Sequence, residues 1–348
     1  MSKEPPPEYD SLLFASFGGP EQREDVMPFL ENVVRGKNVP KERLEEVAEH
    51  YYHFDGKSPI NEQNRALIAA LEEELKAHDI DLPIYWGNRN WDPMFGDALR
   101  RMKADGRKRA LAFVTSGYSS YSGCRQYRES IEEARQEIGD GAPEVDKIRA
   151  FYNHPGFIEA NVDGLLAALG TLPKERRESA RIAFSAHSIP ISMAETSDYT
   201  DQLEETARLV AEGARNDRWQ LVYQSRSGPP HVPWLGPDIL EHLDALARIN
   251  VKDVVVAPIG FLSDHMEVVW DLDIEARNHA NNLGITLTRS ATVGTHPAFV
   301  SMIRELIEER LGRTETRQAV GKRGPSHDVC PPDCCQYEAK VSRPPSKP

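Results

Sequence analysis

This chain has little of several things, and each shortage excludes a class of protein. No run in its 348 residues approaches the about 18 consecutive apolar positions of a membrane-spanning helix, so integral membrane association is excluded and a soluble protein is expected. Cations are outnumbered: 42 lysines and arginines stand against 55 aspartates and glutamates, a formal net charge of -13. That balance argues against a nucleic-acid partner, because phosphate binding needs a basic face. Residues 1–10 are polar and proline-rich, without the apolar stretch after a basic start that marks a secretory leader, and a cytoplasmic protein is expected. Cysteine numbers only four, and in a reducing cytosol structural disulfides are rare. Also missing are the G-x-G-x-x-G turn, the P-loop lysine, the G-x-S-x-G elbow and H-E-x-x-H, so nucleotide binding, serine hydrolysis and zinc hydrolysis lose their sequence support.

What is present starts near the C-terminus. Three of the four cysteines lie in Cys330-Pro331-Pro332-Asp333-Cys334-Cys335, and the fourth, Cys124, is far upstream. Four thiols can close a metal site, and adjacent residues such as Cys334 and Cys335 bridge each other only with strain. Tetrahedral sulfur sites suit zinc and iron-sulfur alike. Zinc sites usually use paired C-x2-C knuckles, whereas a distant thiolate joined to a compact trio is an ordinary way to hold an iron-sulfur cluster. Free thiols on a loose tail are the remaining alternative.

A hydrophobic share of 39% supports one large or two mid-sized domains. Short apolar runs alternate with helical patterns, the sequence form of an α/β protein with parallel sheets. Strands are expected at 11–16, 83–86, 110–116, 181–185, 219–224 and 253–258, and the clearest helices at 41–50, 61–78, 125–139, 201–214, 236–248 and 298–311. From 313 to 326 the pattern fails, which reads as a linker to the cysteine trio, and 340–348 reads as a loose end.

Ligands of open α/β sheets bind beyond the carboxyl ends of strands, and four segments stand there. Phe17-Gly18-Gly19-Pro20 follows the first strand as a tight turn or a ligand loop. The run 115–127 is dense in hydroxyls and aromatics, able to edge a pocket for a flat ligand or to satisfy its own turns. Phe184-Ser185-Ala186-His187-Ser188-Ile189-Pro190 places a histidine just past a strand. The run 258–267 packs Asp264, His265 and Glu267 together. A helix starting after Ser263 would put Asp264 and Glu267 on one side, and Asp271, Asp273 and Glu275 would continue the acids toward solvent. A neutral imidazole opposite a carboxylate can bind a soft divalent metal or move protons.

Those segments, together with Gly56-Lys57-Ser58-Pro59-Ile60-Asn61, Tyr85-Trp86-Gly87-Asn88-Arg89, Tyr223-Gln224-Ser225-Arg226 and Trp234-Leu235-Gly236-Pro237-Asp238, make the chain resemble the ferrochelatases. The likeness runs from about residue 12 to 311 and is nearest to the actinobacterial-type coproporphyrin III ferrochelatases. It implies the chelatase fold: two Rossmann-like domains with parallel sheets flanked by helices and a cleft between them. The expected bounds are 8–117, completed by a helix at about 297–312, then 118–296, with 313–348 as linker and cysteine tail.

The resemblance further implies insertion of ferrous iron into coproporphyrin III with release of two protons, by a monomer without membrane association. His187 and Glu267 would be catalytic and meet the iron, with Asp264, Asp271 and Glu275 as a proton or metal relay. Ser58, Tyr127, Arg35 and Phe17 would contact the porphyrin. Phe17 stands where firmicute relatives carry an iron-ligating tyrosine, so no phenolate is expected from that loop. Cys124, Cys330, Cys334 and Cys335 would hold a two-iron two-sulfur cluster. Alternatives are protoporphyrin IX as substrate, a cobalt or nickel chelatase, or a noncatalytic heme or iron-sulfur sensor.

Overall fold

The computed structural model describes residues 7–37, 39–228 and 231–337; the expected loose end 340–348 lies outside them. Eight strands form two parallel four-stranded sheets. The first is built from β1 (Ser11–Ser16), β2 (Ile84–Asn88), β3 (Arg109–Val114) and β4 (Glu144–Lys147), in the order β2-β1-β3-β4. The second is built from β5 (Arg181–His187), β6 (Trp219–Gln224), β7 (Asp253–Ala257) and β8 (Thr286–Arg289), in the order β6-β5-β7-β8. β1 and β7 are buried along their whole length, which is why they read as unbroken apolar runs: a parallel sheet is covered by helices on both faces. All six expected strands are present. The two unforeseen ones, Glu-Val-Asp-Lys and Thr-Leu-Thr-Arg, are edge strands and carry no apolar run.

β4 also moves the expected boundary. It pairs with β3, and the helix Gln126–Ile138 packs on the helix Phe95–Ala104 of the first half. The segment 118–148 therefore completes the first sheet, and the division at 117 is corrected to the turn that follows β4. The crossing into the second half is built twice on one plan. His154-Pro155-Gly156-Phe157 and His296-Pro297-Ala298-Phe299 open the helices Pro155–Thr171 and Pro297–Leu311, each with the histidine Nδ1 accepting the backbone N–H two residues on, at 3.3 Å. Proline suits the first helical position because its missing N–H would have been unpaired there. The two helices cross in contact, with the Phe157 and Phe299 rings 6.1 Å apart. A Cβ on Gly156 would lie 2.4 Å from the Ala298 carbonyl oxygen, so glycine sets how closely they meet. The second helix returns to the first half and packs on Ile60–Ala77, as expected for the final helix.

The stretch 313–326 is corrected from linker to strap. It has no regular structure, yet it is tied along the body. Arg149 and Glu309 form an ion pair at 2.8 and 2.9 Å with side chains 1% and 4% exposed, and Arg149 also donates to the Gln318 carbonyl at 2.7 Å. Asn153 donates to the Gly324 carbonyl at 2.7 Å, the Lys322 amide donates to Glu205 at 2.8 Å, and Arg323 pairs with Asp201. Polar side chains provide this attachment, so no apolar period announces it.

Candidate functional site

The carboxyl ends of β5, β6 and β7 meet at His187. The Nδ1 of His187 lies 2.5 Å from the Ser188 carbonyl oxygen. A carbonyl only accepts, so Nδ1 carries the proton, and the neutral ring keeps its lone pair on Nε2. Nε2 faces Glu267 Oε1 at 3.5 Å, with side chains 31% and 48% exposed, so both groups are within reach of a ligand. Tyr199 donates to the His187 carbonyl at 2.9 Å, and Gln224, the last residue of β6, donates to the Glu267 carbonyl at 2.7 Å. The strand end and the helix start are thereby fixed relative to each other.

The helix begins later than expected. His265, not Ser263, is its N-cap, accepting the Glu267 amide on Nδ1 at 3.2 Å. Met266–Val268 leads into a π-helical stretch, Val269–Ala276, and then Arg277–Asn282. Such widened turns gather at functional sites. The later start leaves Asp264 outside the helix, away from the face of Glu267. Arg289 instead binds Asp264 at 3.0 and 3.2 Å and Asp273 at 2.8 to 3.1 Å. Two of the acids are thus neutralised by one guanidinium.

The other acids keep their proton chemistry. Burial would raise the pKa of Glu267, but the facing charge and hydrogen bond of His187, with His265 beside it, hold it at about 2. Burial likewise would lower His187, and Glu267 outweighs it, so the imidazole sits above its ordinary value. Asp271 accepts a hydrogen bond from Ser225. Burial pushes it up, the Ser225 bond opposes, and the charges of Glu267 and Glu275 add, leaving it at about 7. Glu275 is raised by burial and by Asp238. The arrangement can accept a proton at His187 Nε2 and hold another at Asp271 near neutral pH.

The wall from the first half carries aromatics and cations. Trp270, on the π-helical stretch, stacks on His50 at 4.2 Å with an interplanar angle of 9° and meets His53 edge-on at 5.5 Å. Phe17 packs edge-on against Phe29 at 6.2 Å. Arg89, the residue after β2, lies 5.9 Å above the Phe17 ring and 5.9 Å above the Tyr127 ring. Burial depresses the pKa of Lys37, and the nearby Arg89 cation adds to it. Among the described residues Arg35, Lys37 and Arg89 pair with no carboxylate; Arg35 donates to the Asn32 side chain at 2.5 Å. Sequence reasoning singles out Arg35 but misses Lys37 and Arg89, although position 89, one step past a strand end, is a usable signal.

The remaining expected contacts are buried. Ser58 is 3% exposed beneath Gly19, where a Cβ would lie 2.9 Å from Ser58 Cβ. Tyr127 is 5% exposed in the first sheet's core, so it serves as a floor under Arg89. In the hydroxyl-rich run, the Ser119 amide and hydroxyl bond the Gln202 side chain at 2.8 and 3.0 Å, Ser120 accepts the Gly123 amide at 2.9 Å, and Tyr118 donates to the Ile259 carbonyl at 2.9 Å. The bonds of Tyr118 and Ser119 fasten the two halves together, while that of Ser120 closes its own turn.

Cys124 lies near the tail cysteines. It is on the wide turn Tyr121–Arg125 beside Cys330, and Cys334 Sγ stands 3.5 Å from Cys335 Sγ. Arg125 donates to the carbonyls of Pro332 at 2.8 Å and Cys334 at 2.9 Å, holding the tail beside Cys124.

The family profile described as Ferrochelatase matches residues 9–311. A ferrochelatase of Rhodopirellula baltica is 57% identical, the alignment covering 99% of this chain and 97% of that protein. A coproporphyrin III ferrochelatase of Streptomyces coelicolor is 51% identical over 95% of this chain and 94% of its own length. Among solved structures, SirB from Bacillus subtilis with Fe3+ superposes with a TM-score of 0.51 at 13% identity, over 90% of this chain and 99% of that one. At that identity the likeness speaks for the chelatase fold alone. No helix among the described residues is long and apolar enough to cross a membrane.

Proposed function

Because this chain belongs to the ferrochelatase family, whose reaction places iron in a porphyrin, we propose that its substrate is coproporphyrin III, converted to Fe-coproporphyrin III with release of two protons. The observation that carries the choice is the set Arg35, Lys37 and Arg89, which lacks carboxylate partners among the described residues. Lys37 and Arg89 are close enough for the Arg89 charge to lower the Lys37 pKa, and such cations disfavour each other until an anion arrives; a guanidinium matches a carboxylate by its fork geometry. Coproporphyrin III brings four carboxylates, protoporphyrin IX two. The name of the Streptomyces coelicolor relative agrees with this reading.

In this reading the macrocycle lies against Phe17 and Trp270, its carboxylates toward Arg89, Lys37 and Arg35. Two pyrrole N–H protons must leave as ferrous iron enters, so a base must sit within hydrogen-bond reach of the ring nitrogens. His187 Nε2 is that base and the first contact for the iron. Glu267, ionised throughout the working range, stabilises the imidazolium that forms. Asp271 accepts the proton next and passes it toward Glu275 and solvent. Asp264 takes no part, because Arg289 holds it. Binding energy from the carboxylates is available to bend the macrocycle toward the metal.

We further infer a two-iron two-sulfur cluster held by Cys124, Cys330, Cys334 and Cys335. The fit rests on the donors: two pairs of thiols, Cys124 with Cys330 and Cys334 with Cys335, brought together from distant parts of the chain. Its contribution when bound is folding free energy that fixes the tail to the body; the insertion chemistry above needs none of it. The same reading takes the enzyme as a cytoplasmic monomer, which gel filtration tests for its oligomeric state.

The test is anaerobic iron insertion with coproporphyrin III and protoporphyrin IX in parallel, after the visible spectrum of the protein itself is recorded. A preference for coproporphyrin III supports the assignment. A preference for protoporphyrin IX would keep the chelatase and overturn the substrate.

A further inference from the structure

One histidine near the cysteine tail has no role in the reading above. His327 is exposed, three positions before Cys330 in the pattern His327-x2-Cys330-x3-Cys334. One ring nitrogen of His327 and the Sγ atoms of Cys330 and Cys334 all lie within 4.8 Å of one another. A tetrahedral zinc with bonds of about 2.3 Å to sulfur and about 2.0 Å to nitrogen holds such atoms roughly 3.6 to 3.8 Å apart. Movement of the exposed His327 and the half-buried Cys330 and Cys334 side chains by about an ångström closes that gap.

The placement of His327 is held from both sides. Arg317 donates to the Ser326 carbonyl and to Asp328 Oδ1, at 3.1 Å for the latter, so the residues flanking His327 hang from one guanidinium. Arg317 in turn lies 3.8 Å from Glu309, the carboxylate buried with Arg149. On the other side, the Arg125 bonds to Pro332 and Cys334 fix the loop that carries the two thiols. Histidine and cysteine are therefore presented together by an anchored loop at both ends of the set.

We propose that His327, Cys330 and Cys334 form a mononuclear site for a zinc-class divalent cation, distinct in its donor set from the four-thiol arrangement. A Cys2His set carries two negative charges when both thiols ionise, matching the ion, and imidazole and thiolate are both suited to zinc. Cys335, which is buried and outside the His327, Cys330 and Cys334 set, is not required. The tail then has two metallated forms that share Cys330 and Cys334, and a cell's supply of iron-sulfur clusters or zinc would decide between them.

The experiment titrates cobalt(II), a spectroscopic substitute for zinc, into the full chain after thiol reduction and removal of bound metal by chelation. Sulfur-to-cobalt charge transfer reports only thiolate sites, so binding near His187 stays silent. The wild type is expected to take one cobalt per chain with tetrahedral visible bands, displaced by zinc. His327→Ala is expected to weaken cobalt at least tenfold and shift its bands, while Cys335→Ser retains both. His327→Ala that titrates like the wild type, loss of the tetrahedral bands in Cys335→Ser, or absence of charge transfer in the wild type would each overturn the site. None of these outcomes depends on which porphyrin is used, so the substrate assignment stands or falls separately.

Discussion

Replacing Asp271 by asparagine should make the protein more stable at pH 8 and slower in iron insertion. The native fold raises this carboxyl from an ordinary 3.8 to about 7. Between those values the folded chain keeps a proton that the unfolded chain has released, so stability falls as pH rises through that window. Roughly three pKa units correspond to about 4 kcal/mol as an upper limit. Asp271 is only partly buried, so water screens some of the cost, and about 2 kcal/mol is the expected gain on removing the charge. In a chain of this size that is roughly 3 °C in melting temperature.

Asparagine keeps an acceptor for Ser225 and cannot ionise, so the difference between variant and wild type isolates this one titration. Melting followed by circular dichroism from pH 4 to pH 8 reads it directly. The two proteins should coincide near pH 4, where both side chains are neutral, and diverge through pH 7 with the variant above. A difference that is flat in pH, or a wild type that melts higher at pH 8, would refute the proposed environment of Asp271. Insertion should meanwhile slow by about a hundredfold, the low end of what a proton-transfer group contributes.

Glu267→Gln should lower the His187 pKa, because the facing carboxylate at 3.5 Å is what raises it; imidazole resonances followed by NMR through a pH titration decide it, and an unmoved pKa would dismiss the pairing. Arg89→Ala should raise KM for coproporphyrin III roughly ten- to a hundredfold with kcat little changed, the value of a charge-assisted hydrogen bond; loss confined to kcat would place Arg89 elsewhere in the mechanism. Glu309→Ala leaves Arg149 buried and unpaired, so a loss of about 3 to 5 kcal/mol is expected, with limited proteolysis near Gly321 and Gly324 as the strap loosens. An uncut strap would mean that Asn153 and Glu205 hold it without the ion pair.

Much of this architecture is legible in the order of residues alone. The central strands carry unbroken apolar runs, because helices cover both faces of each sheet, and His187 stands at such a strand's end. β4 and β8 are not legible, since an edge strand with one half-covered face shows no apolar run. The helix Pro155–Thr171 escapes firm assignment for the opposite reason. Its own Phe157, Ile158, Leu165 and Leu169 are buried and it packs against several elements, so little polar face remains to give it a period. The strap escapes notice because carbonyls and side chains hold it, which leaves no mark in hydropathy.

The acids show why spacing alone could not rank the site. Asp264, Glu267, Asp271, Asp273 and Glu275 form one cluster in the sequence, and any of them could serve a relay. What separates them is Arg289, which comes from β8, a strand that no apolar run announces. It withdraws Asp264 and Asp273 by direct ion pairs, while Glu267 faces His187 and Asp271 accepts from Ser225 and Gln224. Those two carboxylates, Asp264 and Asp273, have their oxygens engaged by the guanidinium N–H groups. A carboxylate left with a hydroxyl, an amide and a neighbouring negative charge rises toward neutral pH and exchanges protons readily. The fold thus sets a structural pair, Asp264 and Asp273, apart from the rest of the acidic run by placing a single arginine on an edge strand.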